Sequence, residues 1–174
     1  SILTVEKGNE AEIFFALEKA KTDYFHIDVM DGKFVEKDTY QKMIEYSSYI
    51  RRISNLPMDI HLMVEDVKTA IEDFAGVEPN IITFHLESCK NKEEVMEYIR
   101  MIKESGARVG ISVKPNTPIE EIYEYLPYIH MCLIMTVEPG KGGQTLITDM
   151  LDKISKLKSY IDGNNLEIDI QVDG

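Results

Sequence analysis

The chain has 174 residues, of which 44% are hydrophobic and 29% charged, and its formal net charge is −12. These values are typical of a soluble globular protein that is long enough to form one domain with a hydrophobic core. The negative charge argues against nucleic acid or an anionic membrane as a partner. It does not exclude a small anionic substrate, because backbone amides in a few loops can bind a phosphate group locally.

The two cysteines, Cys89 and Cys132, lie far apart and outside any CxxC motif. Their context predicts a reducing compartment and no disulfide framework. No charged-then-apolar leader is evident, and the longest apolar stretch, at residues 131–135, is too short to span a bilayer. We therefore expect a cytoplasmic protein.

Apolar runs of strand length alternate along the chain with segments of helical pattern. The first run is "SIL" at residues 1–3, and the others lie at 24–30, 58–64, 81–87, 108–113, 131–137 and 166–172. The helical patterns lie at 10–21, 39–53, 68–76, 92–106 and 146–161. Strict alternation of this kind predicts a parallel β-sheet, either doubly wound or closed into a barrel.

Local signals mark the ends of some helices. Gly76 is a plausible C-cap for the helix at 68–76. At residues 117–121, Thr117 and Glu120 form a capping-box pattern with Pro118 at the first helical position, which predicts another helix start.

The alternation of side chains within the strands distinguishes between the two folds. Every second residue of a strand points to the same face, and we call each of these two sets a parity. On strand after strand one parity is aliphatic and the other polar: at 59–64, for example, Ile60, Leu62 and Val64 oppose Asp59 and His61. A doubly wound sheet is apolar on both faces, whereas a barrel can carry its catalytic groups on the inner face. We therefore predict a single α/β domain over residues 1–174, a (β/α)₈ TIM barrel. Such barrels usually need about 250 residues, so the eighth strand and the helices around it are expected to be missing from this chain.

Four polar residues share the polar parity near the carboxyl ends of the second, third and seventh predicted strands: His26, Asp28, His61 and Asp173. Two imidazoles and two carboxylates form a suitable site for Zn²⁺, Fe²⁺ or Mn²⁺. The alternative is that they are interior polar groups that only bond one another. Met30, Met63 and Met135 lie on the same faces, where methionine usually fills a core but can also form a dry wall around a reactive intermediate.

A glycine-rich turn, "EPGKGGQ" at 138–144, follows the sixth predicted strand and precedes a helix. Its amides and the helix N-terminus can favour an anion, and "DG" at 173–174 ends the next strand. Most glycine-rich turns are only turns, so phosphate binding here is a hypothesis. Among the remaining candidates, His85 with Glu87 can support the metal ligands by hydrogen bonding, His130 lies at the wrong end for a site, and Lys114 suits a lyase only if it is not solvated.

Six motifs in this order resemble the ribulose-phosphate 3-epimerase family: "SIL", "HIDVMDGKFV", "DIHLMV", "ITFHLE", "MTVEPGKGGQ" and "VDG". The resemblance covers essentially the whole chain. It implies a phosphate-binding (β/α)₈ barrel with one divalent metal ion that interconverts ribulose 5-phosphate and xylulose 5-phosphate in the pentose phosphate pathway. A small phosphorylated ketose is then the expected partner, and a homo-oligomer the expected assembly.

The resemblance also assigns roles. His26, Asp28, His61 and Asp173 match the metal ligands, and Asp28 and Asp173 also match the two acid–base residues that invert C3 through an enediolate. The positions that match substrate contacts are Ser1, His61, Gly140, Lys141, Gly142, Gly143 and Gly174.

Departures from the family pattern leave alternatives open. Lys141 stands where phenylalanine is usual, and Lys33 stands where histidine is usual. Because these loops surround the substrate, an allulose-6-phosphate 3-epimerase, whose motifs are similar, is one alternative. A decarboxylase or aldolase would resemble a D-x-K-x-x-D pattern, which the strand at 24–30 lacks. A barrel that binds a sugar phosphate without catalysis is the third alternative.

Overall fold

The protein is described by a computed structural model that covers residues 1–174. Six strands alternate with five α-helices. The strands are β1 (Phe25–Met30), β2 (Met58–Met63), β3 (Ile81–His85), β4 (Arg108–Val113), β5 (Met131–Met135) and β6 (Asp169–Asp173). The helices are α1 (Glu10–Lys19), α2 (Tyr40–Ile53), α3 (Val67–Ala75), α4 (Lys92–Glu104) and α5 (Met150–Gly163).

All six strands are parallel and pair in chain order, β1-β2-β3-β4-β5-β6. The sheet curls strongly: Gln171 of β6 donates a 2.8 Å hydrogen bond to the Asp59 carboxylate of β2, although three strands lie between β2 and β6 in the sheet. The fold is therefore a curled half-barrel of the TIM-barrel class, as the strand parity predicted. None of the helices has the length and apolar character needed to cross a bilayer.

The hydrophobic core lies between the convex face of the sheet and the helices. A cluster of 36 buried apolar residues fills this layer. It contains the aliphatic parity of the strands, including Ile27, Ile60 and Phe84, and the apolar faces of the helices. Helix α4, which the pattern at 92–106 predicts, contributes Val95, Ile99 and Ile102, whereas its Met96 is only partly buried. The polar parity is thereby left on the concave face.

Three local predictions are corrected by the structure. Residues 1–3 do not form a strand: Ile2 donates a single hydrogen bond to the His26 carbonyl, and a turn closed by Val5 follows at once, so no ladder develops. The capping box at Thr117 is absent, because its hydroxyl donates to Glu87 and a 3₁₀ helix, Ile119–Ile122, follows instead. Helix α5 begins at Met150, four residues later than the pattern at 146–161 predicted.

His130 has a structural role at the amino end of the sheet. Its Nδ1 accepts a 3.1 Å hydrogen bond from the Val109 backbone N–H. This nitrogen satisfies a buried backbone donor, so the imidazole belongs to the sheet rather than to a site at the other end.

The concave face is tightly packed around Gly110 of β4. A Cβ at this position would lie 2.2 Å from the Thr83 hydroxyl oxygen and 3.0 Å from the terminal methyl of Met131. We expect Gly110→Ala to lower the free energy of unfolding by about 1–3 kcal/mol, since the neighbours must shift. Denaturant unfolding measures the change. Gly76→Ala is the matched control: its Cβ would contact nothing within 4 Å, so its stability should stay within about 0.5 kcal/mol of the wild type. Equal stability of both variants would contradict the close packing.

Candidate active site and metal centre

Four polar side chains from three strands meet at the carboxyl edge of the sheet. His26 and Asp28 lie on the concave face of β1, His61 on β2 and Asp173 at the end of β6. Parallel register brings them together: Asp28 pairs with His61 in the sheet, and the curl brings β6 beside β1. One ligand atom from each of the four residues can be chosen so that all lie within 4.8 Å of one another.

The nitrogens and oxygens of this cluster face one another. His26 Nε2 lies 3.2 Å from Asp28 Oδ1 and 3.7 Å from Asp173 Oδ2. His61 Nδ1 lies 3.3 Å and 3.5 Å from the same two oxygens. Each carboxylate therefore contacts both imidazoles, and the four groups enclose one point.

The two carboxylates are held in their ionised form. Hydrogen bonds from His26 and His61 keep the pKa of Asp173 well below its usual range. Burial raises the pKa of Asp28, but the bonds from the same two histidines outweigh it, so this pKa too lies far below its ordinary value. For His26, burial lowers the pKa, whereas bonds to Asp173, Asp28 and Asp59 raise it well above its ordinary value. Two anionic oxygens beside two imidazoles are the donor set that Zn²⁺, Fe²⁺ and Mn²⁺ accept.

A buried carboxylate orients His26. Asp59 Oδ2 lies 2.8 Å from His26 Nδ1 and accepts a 2.8 Å hydrogen bond from Gln171. Asp59 is only 2% exposed. Because a carboxylate can only accept, it holds the proton on His26 Nδ1 and leaves Nε2 facing the cluster, which is how ligand histidines are oriented around metals.

His85 lies against His61 on the side away from the cluster. The two Nε2 atoms are 2.9 Å apart, and His85 Nδ1 lies 3.2 Å from Glu87 Oε2. Burial lowers the pKa of His85 to about 4. Burial raises the pKa of Glu87, but its hydrogen bonds, first with His85 and then with Thr117 and the Lys114 backbone N–H, lower it to about 2. The support of the cluster that was predicted for His85 and Glu87 therefore runs from Glu87 to His85 and from His85 to His61.

A cavity of about 290 Å³ opens above the cluster. Asp28 and Asp173 lie in its wall, together with the three methionines named from the sequence, Met30, Met63 and Met135. The methionine side chains are almost fully buried, so they form an apolar wall directly beside the carboxylates.

The Ser1 side chain also lines this cavity, and its hydroxyl donates a 2.5 Å hydrogen bond to Asp28 Oδ2. The two oxygens of Asp28 are therefore distinguished: Oδ1 faces the histidines, and Oδ2 faces Ser1.

The glycines of the predicted anion site line the same cavity: Gly140, Gly142, Gly143 and Gly174, with Lys141 between the first two. Gly143 has a φ of +72° and Gly174 a φ of +137°, conformations that side chains disfavour. The predicted contribution of a helix N-terminus is not found, since α5 begins only at Met150. What remains for an anion is the backbone of the glycine-rich turn and the end of β6.

Lysines crowd a second cavity beside the first. Lys33, Lys37, Lys114 and Lys141 line it, and Lys141 lies 3.6 Å from Glu36 of the facing loop. The Lys114 ammonium lies 3.8 Å above the Phe34 ring, which is a cation–π contact rather than a position inside the cluster. The mouth of the site is thus locally basic in an acidic protein.

Sequence reasoning missed three residues that support the site: Asp59, Gln171 and Lys153. Parity placed Asp59 and Gln171 on the concave face but gave no sign that they bond each other, because they are 112 residues apart. Lys153 lies in helix α5 at helical spacing from the buried Met150, Leu157 and Ile161, and this spacing is the sequence signal that could have found it. In the structure its ammonium is buried and donates to three backbone carbonyls.

The sequence model of the Ribulose-phosphate 3 epimerase family matches residues 1–174. A ribulose-phosphate 3-epimerase of Methanocaldococcus jannaschii is 38% identical over 174 residues, which are 100% of this chain and 71% of that protein. One from Bacillus subtilis is 36% identical over 168 residues, covering 96% of this chain and 74% of the relative.

Solved structures of lower identity share the fold. A mutant tryptophan synthase α-subunit from Pyrococcus furiosus superposes with a TM-score of 0.60 at 11% identity, over 95% of this chain and 81% of that one. SuiB of Streptococcus suis gives a TM-score of 0.57 at 12% identity, over 98% of this chain and 44% of that one. The match of the family model over the whole chain, together with these relatives, shows that the chain belongs to the ribulose-phosphate 3-epimerase family and is an epimerase of the isomerase class.

Proposed function

We propose that the cluster of His26, Asp28, His61 and Asp173 binds one divalent metal ion and inverts C3 of D-ribulose 5-phosphate to give D-xylulose 5-phosphate. The observation that carries the proposal is the position of the two carboxylates. Asp28 and Asp173 come from opposite edges of the curled sheet, β1 and β6, and both line one cavity. A substrate carbon between them would present one face to each.

The chemistry of the donor set fits a metal ion. Asp28 and Asp173 are ionised, His26 Nε2 faces them, and Asp59 holds the other nitrogen of that ring. When bound by these four residues, a divalent ion supplies Lewis acidity toward substrate oxygens.

Inversion needs two proton-transfer groups. The proton beside a ketone leaves slowly in water, and a positioned general base typically contributes about 10²–10⁴-fold. One aspartate, as its carboxylate, removes the proton from one face of C3, and the other, after taking up a proton from solvent, returns that proton to the opposite face. Asp28 and Asp173 exchange these roles when the reaction runs backward.

The remaining wall residues orient the substrate and exclude water. The Ser1 hydroxyl, bonded to Asp28 Oδ2, limits the rotation of that carboxylate and lies where a substrate hydroxyl can reach it. Met30, Met63 and Met135 displace water around the reacting carbon, which protects the deprotonated substrate from solvent.

The phosphate group is assigned to the backbone of the turn at 140–143 and to Gly174. Backbone amides that face a cavity can bind anions although the amides themselves carry no formal charge. Lys141 in the same turn adds a positive charge near the mouth, in place of the aromatic residue usual in the family.

The metal ligands are tested by His61→Ala. Metal affinity and activity should fall together. The loss should exceed the factor of about 10–100 that is typical when a partner outside the ligand shell is removed. Metal content after dialysis and titration with Zn²⁺ or Mn²⁺ measure this. His130→Gln is the matched control, because that histidine lies at the other end of the sheet. Full metal occupancy in a folded His61→Ala and Asp28→Ala double variant would refute the site.

The two bases are tested by Asp28→Asn and Asp173→Asn in deuterated water. The wild type should place deuterium at C3 of the inverted product, since each carboxyl group exchanges its proton with solvent. Each variant should lose at least about 10²-fold in epimerisation, yet each can still exchange label into one substrate configuration, and the two should prefer opposite configurations. Metal content is measured alongside. Inversion without solvent label would contradict exchangeable two-base transfer.

The phosphate role is tested by Gly143→Val. A β-branched residue strains a backbone with φ +72°, so KM should rise for the phosphorylated ketose and change little for its unphosphorylated analogue. Gly106→Val is the control, because Gly106 has a φ of +88° and lies in the turn between α4 and β4. Equal losses on both sugars would count against phosphate binding by this turn.

A further inference from the structure

We infer that Glu87 and His85 are positioning residues that keep a hydrogen on Nε2 of the His61 ring, so that Nδ1 is the nitrogen that a metal ion takes. The inference rests on the proposed metal site and goes beyond it, because neither residue touches the four-residue cluster except through His61. It is carried by one continuous chain of hydrogen bonds that begins outside the cavity.

The first link fixes the proton of His85. Glu87 Oε1 accepts from the Lys114 backbone N–H at 2.7 Å and from the Thr117 hydroxyl, and Oε2 lies 3.2 Å from His85 Nδ1. An ionised carboxylate has no proton to donate. His85 Nδ1 therefore carries the hydrogen and donates it to Glu87.

The second link fixes the proton of His61. The ring centroids of His61 and His85 are 5.0 Å apart with planes inclined by 25°, and the Nε2 atoms are 2.9 Å apart. The two rings therefore face each other through their Nε2 atoms, and one of these nitrogens must donate while the other accepts. Two protonated nitrogens facing each other at this distance would repel. Because His85 already carries its hydrogen on Nδ1, its Nε2 accepts, and His61 Nε2 is the donor.

The third link is the consequence at the cluster. With its Nε2 hydrogen donated to His85, His61 turns Nδ1 toward the cluster, 3.3 Å from Asp28 and 3.5 Å from Asp173. In the metal-free chain these carboxylates accept the hydrogen of Nδ1, and a metal ion would take the place of that hydrogen, because the ion needs the lone pair of a neutral imidazole. If Nε2 carried no hydrogen, the ring would have to keep the one on Nδ1, which would exclude the ion.

A buried lysine fixes the segment at the outer end of this chain of hydrogen bonds. The Lys153 ammonium donates to the carbonyls of Lys114, Pro115 and Thr117 at 3.0, 2.7 and 2.7 Å. This is the segment that supplies both donors to Glu87. Helix α5 is thereby connected to a ligand of the proposed metal through Lys153, the segment 114–117, Glu87 and His85.

The decisive variant is Glu87→Gln. The glutamine oxygen can keep the bonds to Lys114 and Thr117, so its NH₂ group takes the place of Oε2 opposite His85. Nδ1 of His85 must then accept and its hydrogen moves to Nε2, so Nε2 of His61 must accept as well and the hydrogen of that ring is confined to Nδ1. Nitrogen-15 spectra of the histidine rings should show this exchange of tautomers, and the affinity for Zn²⁺ should fall by about 10–100-fold.

The controls separate this role from simple support of the fold. Glu121→Gln changes the same charge in the 3₁₀ segment nearby and should leave the spectra and the affinity unchanged. His85→Gln retains an acceptor oxygen for His61 Nε2 and should keep more of the affinity than His85→Leu, which has none. Unfolding curves of all variants identify any that fold poorly.

Two results would overturn the inference: a wild-type His85 protonated on Nε2, or Zn²⁺ affinity in folded Glu87→Gln equal to that of the wild type. The spectra are recorded on the metal-free and the zinc-loaded chain. Failure of the wild type to bind any divalent ion would contradict the proposed metal site instead, while the spectra of the metal-free protein still test the hydrogen-bond chain.

Discussion

The concave face depends on two hydrogen bonds of one carboxylate, those that Asp59 makes with His26 and with Gln171. A carboxylate that is 2% exposed is costly unless donors surround it. Here two donors, from β1 and β6, both bond Oδ2, while Oδ1 has no partner. Bonding Oδ2 therefore also holds the outer strands of the sheet toward each other. The curl that brings Asp173 beside His26 is the same curl that lets Gln171 reach Asp59. Structure and site therefore share one set of buried polar contacts.

The strand part of the site could be predicted from the sequence because it depends only on two regularities. Side chains alternate with period two, and parallel strands end at one edge. His26, Asp28, His61 and Asp173 follow from these regularities without any knowledge of distances. The fold class follows in the same way, since a polar parity repeated on β1, β2, β3 and β6 is incompatible with a sheet covered by helices on both faces.

The residues that were mispredicted or missed are those whose partners lie far away in the chain. Thr117 has the local pattern of a helix cap, yet its hydroxyl bonds Glu87, thirty residues earlier. Lys153 was missed rather than mispredicted: it lies on the buried stripe of α5, and three carbonyls from the segment after β4 accept from its ammonium. Ile2 has the pattern of a strand, but it makes only one bond to β1 before the chain turns. In each case a tertiary contact outweighs a local preference, and a single sequence does not reveal that contact.

The two histidines of the cluster are held by different partners, and the difference bears on the charge of the site. His26 is bonded directly to the anion Asp59, whereas His61 is bonded to a neutral imidazole that separates it from the anion Glu87. A second carboxylate in direct contact with the cluster would add repulsion to Asp28 and Asp173, and a nearby like charge raises the pKa of a carboxyl group. Both aspartates must ionise to act as bases in the two directions. Placing His85 between Glu87 and His61 therefore orients the ring while keeping the negative charge of Glu87 one ring further from the groups that move the proton.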